Sequence, residues 1–446
     1  MRILHRKIES YIKSFYSQNK EKILIVDGAR QVGKSFIINK ACSEIFKNYI
    51  EINLLEDSVN QRNFESIKSV KDFYTQVSAL YGDKLNDRAD TIIFLDEIQA
   101  YPHLLTLLKF LSKENKYRYI CSGSLLGVTL FNTTSVPMGA VEIKKMYPLD
   151  FEEFLIANGF DAIATVRERF EEKKPLEKNI HDILMSFYKD YLIVGGLPEC
   201  VKTFLDTRNI STIRTIQKDI TNFYINDASK YDLENKIETK LIYQYIPSLM
   251  ENKKNRVIVK DIKKSAGYTF KYFQKSFEYL VASGIAIDVN AISNPKFPLI
   301  ESAKKSLLKL YLNDVGLLTN ILYKENIAAI KNDVESVNLG NVYETSLAME
   351  LHSRYDNLYY YDNKKNGEVD FLIDDYNSLS ILPIEVKSGK NFRTHSAIDK
   401  FIENKEYNVK HGIILSNDIE VTEENGKVYM PIYYLMFLWK NIYLYN

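Results

Sequence analysis

Between residues 22 and 147, short apolar runs (KILIVDG, YIEINL, TIIFLDEIQ, RYICSGS and VEIKKMY) are separated by stretches whose apolar residues recur every three or four positions. That alternation predicts a parallel sheet with crossover helices. From about Asp150 to Met250 the strand-like runs fade. FEEFLIANG and IHDILMSFYKDYLIVGG carry apolar residues at helical spacing, so this part is predicted mostly helical. RVIVKDIKKSAGYTFKYFQKSFEYLVASGIAIDVNAI then reads as a short helix, a break at Gly267, a second helix and an alternating strand, the pattern of a winged helix-turn-helix. In its second helix Phe270, Phe273, Phe277 and Val281 share one stripe, with Lys271 and Lys275 off it. Beyond about Leu307 a helix, NVYETSLAMELHSRY, precedes strands at LYYYD, EVDFLI, LPIEVKS and HGIILS. The expected fold class is α/β, divided at 1–155, 156–245, 246–304 and 305–446.

By length alone, 446 residues at roughly 150 per domain amount to about three domains, so several units are expected. With 46% hydrophobic and 26% charged residues the chain matches globular proteins, which excludes collagen-like and wholly disordered classes. Fifty-nine basic and 58 acidic residues leave a net charge of +1, so any nucleic-acid binding has to come from a local patch. Cys42, Cys121 and Cys200 form no CxxC pair, and the six histidines show no metal-binding spacing. No apolar run reaches the roughly 18 residues of a membrane span, and the first residues are amphipathic; a cytoplasmic protein with no membrane partner is expected.

The most specific chemistry lies in Gly28-Ala29-Arg30-Gln31-Val32-Gly33-Lys34-Ser35, which fits GxxxxGK[ST] after the strand ILIVD and before the helical start at Phe36. Glycine lets the backbone curl so that its N–H groups face a phosphate. Lys34 is suited to neutralising the β and γ oxygens of ATP, and Ser35 to holding Mg²⁺. The second motif, TIIFLDEIQ, ends a buried strand with Asp96 and Glu97. Asp96 is the expected Mg²⁺ partner and Glu97 the expected catalytic residue that polarises water, which would place the sheet in the P-loop NTPase branch carrying a catalytic glutamate. Ser122 is open between sensing the γ-phosphate and serving as a turn residue. Arg30 is open between touching phosphate and lying solvated in the loop.

Taken together, GARQVGKS, TIIFLDEIQ, the SGS turn, MYPLDFEEFL, YLIVGGLPECV, LYLNDVGLL, NVYET and the EVD and IEVKSG segments resemble bacterial and archaeal AAA-type ATPases. In that family the P-loop domain is fused to a C-terminal restriction-endonuclease-like domain of unknown role, and the resemblance spans nearly the whole chain. It departs at PMGAVEIKKMYPL, where Ala140 stands at a position at which similar proteins carry arginine. No arginine finger is assigned.

In the C-terminal part, strand alternation puts Asp370 on one face of its strand, and Glu385 with Lys387 on one face of the next. This order resembles a PD-(D/E)xK nuclease core, and Glu344 on the preceding helix matches the acidic residue that often completes it. Two carboxylates from adjacent strands can chelate Mg²⁺, with a lysine to orient water. A half-solvated strand would show the same alternation. The leading expectation is an ATP hydrolase regulating the winged-helix and nuclease-like parts. The alternatives are an ATP-gated nuclease acting on DNA or RNA, and a nucleotide-controlled scaffold with a protein partner or self-association.

Overall fold

Five apolar runs of the N-terminal region become strands in the computed structural model, which describes residues 3–18, 20–124, 126, 139–231, 236–249, 257, 270–332, 337–389 and 396–438. The chain forms two compact units: Met1–Tyr147 with Ala282–Gly284, and Pro148–Val281 with Ile285–Asn446. In the first unit β1 (Ile23–Asp27), β2 (Asn48–Asn53), β3 (Thr91–Asp96), β4 (Arg118–Gly123) and β5 (Val141–Lys145) are all parallel, in the order β2-β3-β4-β1-β5. Every residue of β3 is buried, as expected for a parallel strand covered on both faces. Ile25, Ile93, Leu95 and Cys121 from the sheet pack with Leu105 and Leu108 of the helix Pro102–Glu114. Because β4 lies between β1 and β3, the loop after β1 and the acids ending β3 face each other across one intervening strand.

In the second unit the region predicted helical is helical, from Phe151–Ala157 through Lys178–Val194 and Ile210–Tyr231 to Lys236–Leu249. An eight-stranded mixed sheet follows: β6 (Ala286–Ile292), β7 (Lys304–Leu312), β8 (Leu358–Asn363), β9 (Gly367–Asp375), β10 (Ser380–Val386), β11 (Gly412–Ser416), β12 (Thr422–Glu424) and β13 (Lys427–Pro431). Its order is β12-β13-β11-β10-β9-β8-β6-β7.

One expectation needs correction. The strand at 286–292, assigned from sequence to a winged helix ending at residue 304, pairs in parallel with β8 and so shares the sheet of the segment beyond 305. Five of its seven residues are buried, a pattern that demands cover on both faces and that a solvated wing would not provide. The expected second helix is present as Phe270–Ala282. The expected first helix and its turn fall at 250–269, outside the described residues apart from Val257, whose N–H donates to Leu308 O of β7 at 2.9 Å.

Two sequence signatures are explained by packing in this unit. The Gly196 N–H donates to Asp314 Oδ2 at 2.7 Å, and Asp314 also caps the helix Val315–Tyr323 through Leu317 N at 3.1 Å. A Cβ on Gly196 would lie 2.1 Å from Leu149 O, so the GGLP turn and the YPLD segment interlock at backbone distance. Asp150 and Glu350 are similarly joined by Arg354, at 3.1 and 3.4 Å.

Candidate nucleotide site and C-terminal acidic cluster

Residues 28–35 curl between β1 and the helix Lys34–Ile45. Gly33 has φ 91° and Gln31 φ 67°, both left-handed, and no side chain caps the helix start, whose first turn also holds no acid. The free N–H groups and the positive end of the helix dipole together make an anion-binding terminus. A Cβ on Gly28 would sit 2.1 Å from Met146 O, so only glycine fits where the loop leaves the strand.

Lys34 is 6% exposed, and its Nζ donates to the carbonyls of Gly28 and Ala29, each at 2.8 Å. Burial pushes its pKa down, opposed by the charges of Glu97, Asp27 and Asp96. Ser35 Oγ lies 3.0 Å from both carboxylate oxygens of Asp96. A hydroxyl and a carboxylate at that separation are the hard oxygen donors that Mg²⁺ accepts, so the residues fit the ion. Burial raises the Asp96 pKa, the hydrogen bonds from Ser122 and Ser35 lower it, and the neighbouring Glu97 and Glu51 raise it again. Phe36 is 47% exposed.

Glu97 stands at φ 54°, a strained conformation for a residue with a side chain. Its N–H donates to Ser122 Oγ at 3.0 Å, while Ser122 Oγ itself donates to Asp96 Oδ1. Ser122 thus ties the two acids together. The Glu97 carboxylate accepts from Ser124 Oγ at 2.7 Å and from Gln99 Nε2, and the half-buried Arg30 donates through Nε to Ser124 Oγ at 3.3 Å. Sequence reasoning missed Gln99 and Ser124, although both lie inside the quoted motifs. It also missed Arg6, 5% exposed, which donates to Val32 O at 2.9 Å and Tyr147 O at 2.6 Å and so braces the loop; no local signal marks it. Ala140 O accepts from Ile23 N at 2.9 Å, so this position serves the sheet through its backbone.

In the second unit Glu344 lies on the buried helix Gly340–His352, Asp370 on β9, and Glu385 at the buried end of β10 with Lys387 just beyond it. The structure brings them together. Burial raises the Asp370 pKa far above the carboxylate range, with Glu344 and Glu385 adding repulsion. Asp370 Oδ2 accepts from Val386 N at 2.8 Å, and Glu385 pairs with Lys387. Three residues not expected from sequence join them. Lys309 pairs with Glu344 at 3.5 Å and with Glu368 at 2.5 Å, and Tyr311 Oη donates to Glu344 Oε2 at 2.9 Å. Among the described residues no three acidic, histidine or cysteine side chains are grouped so as to hold a metal ion. His181 instead bonds Tyr433 Oη through Nδ1 at 3.0 Å, and His395 lies outside the described residues. No helix among the described residues is long and apolar enough to cross a membrane.

Residues 20–155 match the family model of an AAA domain. Residues 185–327 and 339–435 match two families described as domains of unknown function, DUF8612 and DUF4143. No curated protein matches the chain. Among solved structures, a Walker-type ATPase of Pyrococcus abyssi is 15% identical, over 72% of this chain and 96% of its own, with a TM-score of 0.46. The Aeropyrum pernix Orc1 protein, solved with DNA, is 13% identical over 73% and 94%, with a TM-score of 0.32. The Thermotoga maritima RuvB branch migration motor is 10% identical over 64% and 89%, with a TM-score of 0.31. Residues 20–155 are therefore a P-loop ATPase domain of the AAA type, an ATP-hydrolysing module, while the families matched by the two later segments name no activity.

Proposed function

We propose that the chain hydrolyses ATP with Mg²⁺ and that the nucleotide state regulates the C-terminal unit. The observation that carries this reading is the alignment of Ser35 with both oxygens of Asp96, beside a Lys34 ammonium that donates to two loop carbonyls. Incoming phosphates would draw Lys34 off those carbonyls, and N–H groups of residues 29–35 would bind the β-phosphate. Ser35 and Asp96 would hold Mg²⁺, which supplies charge neutralisation. Glu97 would orient the attacking water, with Ser122 fixing the geometry of the Asp96–Glu97 pair. The test is ATP turnover and nucleotide binding in two variants. Lys34→Ala is expected to lose binding, and Glu97→Gln to bind ATP but lose at least 100-fold in turnover, the scale of a positioned general base. Wild-type turnover in both variants would end the proposal.

The alternative of an ATP-gated nuclease draws its support from the element order in the second unit: helix Gly340–His352, β8, β9, β10, helix Ser396–Glu403, β11. It predicts metal-dependent cleavage of DNA or RNA that disappears in Asp370→Ala with Lys387→Ala. Against it stand the internal ion pairs of Glu344 and Glu385, which favour a nucleotide-controlled scaffold.

A further inference from the structure

The carboxylates of the second unit are already engaged from within the fold by two lysines, a tyrosine and a backbone N–H. Glu344 comes from a buried helix, Glu368 and Asp370 share one face of β9, and Glu385 comes from β10. Into this group β7 projects Lys309 and, two residues on and on the same face, Tyr311. The Lys309 side chain is 1% exposed. It pairs with Glu368 at 2.5 Å and Glu344 at 3.5 Å, and its ammonium stands 4.8 Å from the centre of the Tyr360 ring. Lys387 meets Glu385, the Val386 N–H meets Asp370, and Tyr311 Oη meets Glu344.

We infer that the Lys309 ammonium is the built-in counter-ion of this cluster, taking the role a divalent cation plays in an endonuclease-like site, so that the second unit does not cut nucleic acid by a metal-dependent route. The physical reason is competition. A tethered, buried ammonium is present at every protein concentration and has no shell of water to shed. A divalent ion entering the same space would have to displace it from Glu368 and Glu344, or be buried beside a like charge. Tyr311 and Tyr360 reinforce the arrangement, one by donating to Glu344 and the other by offering a ring face to the cation. This inference deepens the scaffold reading of the second unit and is independent of ATP turnover by the first.

The experiment is a Mn²⁺ titration of the full-length, nucleotide-free protein, followed by the electron paramagnetic resonance of free Mn²⁺. Wild type and Asp370→Asn are expected to take up the same small amount of Mn²⁺. Lys309→Met, which keeps the length and removes the charge, is expected to gain one Mn²⁺ per chain, and to lose it again when combined with Asp370→Asn. Uptake by wild type that Asp370→Asn abolishes would overturn the inference, as would a folded Lys309→Met that gains no site. If Lys309→Met does not fold, the wild-type and Asp370→Asn comparison decides the matter alone. Because no nucleotide is present, a failed ATPase reading leaves this result untouched.

Discussion

Single side chains reaching across the chain account for much of the site's preparation. Arg6 is the clearest case: it holds the Val32 and Tyr147 carbonyls from 26 and 141 positions away. Replacing it with alanine leaves two acceptors poorly satisfied, at about 2 kcal/mol of stability. The expected outcome for Arg6→Ala is a lower denaturation midpoint together with weaker ATP binding, measurable by urea titration and by nucleotide titration. Asp314 gives a pH signature. Burial pushes its carboxyl up from 3.8 to about 6, against the backbone N–H groups that pull it down. A pKa raised in the folded state means the native protein binds the proton more tightly. This contribution is therefore complete below pH 4 and disappears as pH rises to 6, a loss of about 3 kcal/mol. Stability measured from pH 4 to 6 should fall with that component in wild type and lack it in Asp314→Asn. Lys34, Ser35, Asp96 and Glu97 were legible from sequence because their chemistry sits in contiguous motifs with fixed spacing. Arg6, Lys309 and Tyr311 were not, because each acts on a partner more than 25 positions away and looks locally like any charged or aromatic residue.

At the scale of elements, the parallel sheet of the first unit was readable from its continuous apolar runs, and β6 was misassigned for a related reason. Its alternation, Ile287, Val289 and Ala291 against Asp288 and Asn290, suits a wing as well as a larger sheet, and nothing local says which sheet will cover it. The helix Gly340–His352 is buried along almost its whole length, so its acid at Glu344 enters a core instead of facing water. The close approach at Gly196 is testable against an internal control. Gly196→Ala would drive a Cβ to 2.1 Å from a backbone oxygen, whereas at Gly82 a Cβ meets nothing within 4 Å. Gly196→Ala is expected to cost at least about 2 kcal/mol or to prevent folding, while Gly82→Ala stays within about 0.5 kcal/mol of wild type, as read by chemical denaturation.

For the whole molecule, near-equal numbers of acidic and basic residues leave communication to specific contacts rather than to a global field. If nucleotide state regulates the second unit, hydrogen exchange of Glu97→Gln should differ between ATP and ADP both at residues 28–35 and within residues 148–281. Differences confined to the first unit would mean that hydrolysis is not transmitted. A second whole-molecule consequence concerns the thiols. Cys42 and Cys121 are buried in the first unit and Cys200 in the second, none bonded to another. The native surface is thus silent to maleimides. The rate at which each sulfur becomes alkylated is a separate clock for the opening of its own unit, and a cysteine introduced anywhere on the exterior would carry a fluorophore with no competing attachment.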